Sequence, residues 1–139
     1  MFLFDACFCF VWFLFGCPYK DLSDAKGIQA MRIRNYPLAV RFFNNLIEED
    51  PNFAEAWNKR ATAHFMMGNF DLSMRDISKT LELEPRHFGA LDGMGLIFIH
   101  LNQPEKAIDI YDKMLEIFPN SNSTKMKKDR ILSLTTQST

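Results

Sequence analysis

Residues 54–85 read AEAWNKRATAHFMMGNFDLSMRDISKTLELEP. Two helical segments flank MMGNFD, whose glycine and asparagine mark a turn. Ala54, Ala56, Trp57 and Ala61 form an apolar face on the first segment. The second ends at Pro85, a helix stop signal. Arg60 and His64 are four residues apart and share one helical face. On a packed face they are polar, so this helix needs polar partners.

The same pattern extends in both directions. Pro51, Pro85 and Pro119 recur every 34 residues. Tyr36, Phe70 and Pro104 keep that spacing, as do Ala39, Ser73 and Ala107. So do Phe43, Ile77 and Tyr111, and the small residues Gly27, Ala61 and Gly95. A fixed period of this size denotes a repeat array. The units are 20–53, 54–87 and 88–121, each a pair of amphipathic helices. RIRNYP, MMGNFD and HLNQPE are the turns within them. Pro37 and Pro104 suit the first turn of a second helix, where a missing N–H costs little.

Trp57, Ala61, Gly68, Phe70 and Pro85 in the middle unit resemble the tetratricopeptide repeat. Leu91, Gly95, Ala107, Tyr111 and Pro119 repeat the pattern. Gly27, Tyr36, Ala39, Phe43 and Pro51 form a more worn copy. The resemblance implies an all-α, right-handed α-solenoid of three helix-turn-helix repeats. AEAWNKRAT, LEPRHFGAL and GLIF also resemble a little-characterised group of such proteins from alphaproteobacteria and plants.

Composition narrows the function classes. The chain has 139 residues and a net charge of -1, so no global basic field draws nucleic acid or anionic lipid. Cys7, Cys9 and Cys17 all precede the repeats, which excludes a disulfide framework or thiolate metal site within them. His64, His87 and His100 lack ligand spacing, and no phosphate-cradling glycine loop occurs. The chain is therefore read as no enzyme, with no metal and no cofactor.

The family's usual role is binding on a concave face lined by first helices. By that resemblance, Glu55, Asn58, Thr62, Phe65, Asp92, Leu96 and Ile99 would contact a partner. The surface reads as acidic along one edge and apolar along the other, suited to a peptide or protein with basic and apolar side chains. A subclass of the family clamps a C-terminal carboxylate with Lys, Arg and Asn. The corresponding places here carry Asp24, Ile28, Gly89 and Gly93, which argues against that mode. The expected function is a non-catalytic protein-interaction module. The alternative is a structural, self-associating envelope protein tethered by its N-terminus.

Arg60, His64, Ser73, Asp76 and Thr80 are expected to form a structural polar seam between the two helices of the middle unit, since a buried guanidinium must be satisfied.

Residues 1–19 are almost wholly apolar. They read either as a signal or anchor, with Cys17 open to lipidation after LFG, or as a helix packed on the first repeat. The uncharged run is shorter than the ~20 residues that span a bilayer. The absence of Lys or Arg ahead of it and the bulk of Phe15 weigh against export. Localisation is left open. Residues 122–139 read as a cap helix with a disordered tail. Met126, Arg130, Ile131 and Leu134 would share one face, with Lys125, Lys127 and Lys128 on the other.

Overall fold

The structure is a computed structural model that describes residues 18–136. Among these, every regular element is a helix: α1 (Pro18–Arg32), α2 (Tyr36–Glu49), α3 (Ala54–Met66), α4 (Phe70–Leu83), α5 (Phe88–His100), α6 (Pro104–Ile117) and α7 (Asn122–Thr136). Each helix packs on the next, and the first helices α3 and α5 also touch. The result is an all-α helical repeat solenoid. The segment 1–17, with the Cys17 and N-terminal anchor expectations, lies outside the described residues. No described helix is long and apolar enough to cross a membrane.

The columns seen in the sequence are contacts between the paired helices. Gly27 faces the Phe43 ring so closely that a methyl would overlap it. A methyl at Gly95 would lie 2.8 Å from Tyr111 Cζ. The middle unit has the smaller Ile77 opposite, and there the small residue is Ala61; the two pack in one core cluster. The size of the second-helix side chain thus sets whether its partner is glycine or alanine. Burial raises the Tyr111 hydroxyl pKa to about 12, with the Asp92 charge a smaller cause.

The turns also repeat. Arg34, Gly68 and Asn102 stand at equivalent places with φ of 58°, 77° and 55°. This left-handed conformation costs nothing for Gly68 but strains Arg34. Asn35 caps α2 by accepting the Leu38 N–H at 3.2 Å. His87 and Ser121 share another register. His87 Nδ1 accepts the Ala90 N–H at 3.1 Å, and Ser121 Oγ accepts that of Thr124 at 3.3 Å. Trp57 Nε1 donates to the Pro51 carbonyl at 2.9 Å, tying α3 to the preceding loop.

The cap helix differs from its sequence reading. Ile131 is buried, but Met126 and Leu134 are 71% and 59% exposed. Lys127 and Lys128 instead face the body, pairing with Asp92 of α5 and Asp112 of α6. Lysine stems can cover apolar surface while their heads reach a carboxylate, so Ile131 shares the inner face with these lysines rather than with Met126 and Leu134. The helix also continues through Thr135 and Thr136, the first two residues of TTQST (135–139), the segment expected to be a disordered tail; 137–139 lie outside the described residues.

Candidate functional site: a cleft between two first helices

The cleft lies between α3 and α5, with α4 as its floor. Asn58, Thr62 and Phe65 come from α3, and Asp92 and Leu96 from α5. Ala61, Ser73 and Ile77 form the base, and Gly89 and Gly93 open the α5 wall. The space is about 190 Å³. Helical spacing explains the grouping: Asn58, Thr62 and Phe65 recur at four and three residues, as do Gly89, Asp92, Gly93 and Leu96.

Two of the seven partner-contact residues expected from the sequence are elsewhere. Ile99 is 40% exposed and borders a separate cleft with Pro104, Ile131 and Leu134. Glu55 is engaged: His87 Nε2 lies 2.9 Å from its carboxylate, and Lys59 Nζ lies at 3.9 Å. Phe65 reaches the cleft but also packs against Phe70 and His100, with ring centroids 5.5 and 5.1 Å away. The acidic edge is neutralised. Asp24 takes Lys59 at 2.6 Å and Asp92 takes Lys127 at 2.5 Å.

Beside the cleft, α3 and α4 share the polar network. Arg60 Nε and Nη2 donate to the two Asp76 oxygens at 2.8 and 2.6 Å. Its Nη1 donates to Asn44 Oδ1 of α2 at 2.8 Å. The guanidinium also lies 4.7 Å from the Trp57 ring centroid. Ser73 Oγ donates to the Ala61 carbonyl, and Thr80 Oγ1 to that of Asp76, at 2.8 and 2.9 Å. His64 Nε2 is 4.0 Å from Asp76, while its buried Nδ1 has no hydrogen-bond partner. Burial lowers the His64 pKa below 6.5; the Asp76 charge opposes this shift and Arg60 adds to it. Asn44 was absent from the sequence reading because it belongs to the preceding unit. Among the described residues, no group of three or more His, Cys, Asp or Glu is placed to hold a metal.

A family profile described as tetratricopeptide repeat matches residues 90–121. The chain is 40% identical over 91 residues to a TPR repeat-containing protein of Rhizobium etli, covering 66% of this chain and 45% of that protein. The fold superposes on the first TPR of Spaghetti (RPAP3) bound to HSP90 peptide SRMEEVD. The TM-score is 0.77 at 20% identity, over 86% of this chain and 94% of that one. The chain carries a tetratricopeptide repeat domain. Hsp70-Hsp90 organizing protein 2 of Arabidopsis thaliana is 30% identical to it over 101 residues, 73% of this chain and 18% of that protein. The Sgt2 TPR domain from Aspergillus fumigatus superposes with a TM-score of 0.78 at 19% identity, over 88% of this chain and 82% of that one. The chain spans less than half the length of these curated relatives.

Proposed function

We propose that this repeat domain is a non-catalytic binding module that holds a peptide segment of a partner protein in the α3–α5 cleft. One observation carries this reading. The cleft is a concave space on the first-helix side, with an apolar end at Phe65 and Leu96 and hydrogen-bonding groups at Asn58 and Thr62. Few placed polar groups on an apolar surface suit peptide recognition. The RPAP3 neighbour, whose structure holds a peptide, supports the same use of the fold.

The partner chemistry proposed here differs from that of an acidic C-terminus such as SRMEEVD. Gly89 and Gly93 present no cation in the cleft, and Lys59 and Lys127 are already paired. A buried carboxylate without a cation would be strongly penalised.

The test is selection from a random displayed-peptide library, then titration of a recovered peptide. Leu96→Ser should weaken binding about tenfold or more, as truncating a central contact does. Ile99→Ser should leave it unchanged. Failure to enrich any peptide, or equal binding by the Leu96 variant, would remove the cleft as the recognition site.

A further inference from the structure

Both outer junctions of the first-helix row are closed by the same ion pair. Asp24 of α1 takes Lys59 of α3, and Asp92 of α5 takes Lys127 of α7. Asp24 and Asp92 occupy one repeat register; Lys59 and Lys127 occupy another. At the middle junction, between α3 and α5, those registers hold Asn58 and Gly93. Both line the cavity of about 190 Å³. An amide replaces the carboxylate, and a hydrogen replaces the lysine chain. The junction is instead held one turn away, by His87 Nε2 and Glu55 at 2.9 Å.

Resting on the peptide-binding reading above, we infer that this missing latch is an anchor pocket. A partner peptide inserts one uncharged, leucine- to phenyl-sized side chain where the other junctions hold a lysine chain. Size supports this: an apolar cavity of roughly 150 Å³ is enough to hold a benzene ring. Charge decides the class of anchor. Among the described residues, Asp92 is the one ionisable residue lining the space, and Lys127 already neutralises it. Among these described lining residues, a cationic anchor would find no free carboxylate and an anionic one no free cation, so either would be desolvated without compensation. Ile77 and Leu96 supply apolar contacts, while the Asn58 amide, beside Gly89, can meet the peptide backbone.

The latch can be restored. Asn58→Asp with Gly93→Lys rebuilds the ion pair, and Gly93→Met fills the space without charge. The Ile77 terminal methyl must yield slightly, since a Cβ at residue 93 would meet it at 3.2 Å. Peptides enriched from a random displayed library on the wild-type protein should share an uncharged aromatic or large aliphatic residue. Each filled variant that retains wild-type helicity should bind them about tenfold or more weakly, the scale of losing a central anchor. Lys127→Met frees the Asp92 charge, so selection on that variant should shift toward Lys or Arg anchors. Unchanged affinity in both filled variants would overturn the anchor pocket while leaving peptide binding at another surface. Charged anchors selected by the wild type would overturn the chemistry. No enrichment by the wild type would remove the binding reading and this inference with it.

Discussion

Replacing Arg60 with alanine removes both hydrogen bonds to Asp76 and the one to Asn44. The Asp76 side chain is 6% exposed, so it would remain as a nearly buried carboxylate without its cation. Breaking one partner of a buried ion pair costs ~3–5 kcal/mol, mostly from the charge left behind. Loss of the guanidinium over Trp57 adds ~0.5–1 kcal/mol. Arg60→Met keeps the apolar stem but still strands Asp76, so it should remain costly. Arg60→Met with Asp76→Leu removes both charges and should return to within about 1 kcal/mol of wild type, because an apolar replacement of a buried pair is often neutral. Urea unfolding followed by circular dichroism measures all three, together with Asp76→Leu alone. Arg60→Ala within ~0.5 kcal/mol of wild type would mean a solvent-facing arginine. Strict additivity of the Arg60→Met and Asp76→Leu costs would mean that the two do not act together. Either result refutes the reasoning.

Three further outcomes follow from the packing. Gly95→Ala should destabilise by ~1–3 kcal/mol in denaturant unfolding despite alanine's higher helix propensity, because its methyl meets the Tyr111 ring. Arg34→Gly should stabilise by roughly 1 kcal/mol in the same assay, by relieving the left-handed backbone at φ 58°. The His64 pKa is depressed in the folded state, so between that lowered value and about pH 6.5 the unfolded chain binds more protons. His64 should therefore contribute stability that is complete above that pH and lost as pH falls through the folded pKa. His64→Gln should flatten that part of the stability–pH curve, and an unchanged curve would contradict the burial.

The fold was legible because its contacts recur within one unit. Gly27 opposite Phe43 and Gly95 opposite Tyr111 lie at the same offset, so size complementarity repeats with the period. The cleft was legible in part, since helical spacing places Asn58, Thr62 and Phe65 on one face. Ile99 borders a second cleft, formed where α7 packs beside it, and spacing within α5 does not encode that packing. The latches were missed because Asp24–Lys59 and Asp92–Lys127 join different units. The traceable signal was that this Asp–Lys spacing of 35 residues recurs two periods later. Asn44 escaped for the same reason: it reaches Arg60 from the unit before.

Recognition in the α3–α5 cleft should be visible residue by residue. The direct test is an amide chemical-shift titration of the isotope-labelled protein with a peptide recovered by selection. The largest changes are expected at Asn58, Thr62, Gly89, Gly93 and Leu96. Changes concentrated instead around the Arg60–Asp76 network, or in the separate cleft at Ile99 and Ile131, would contradict it.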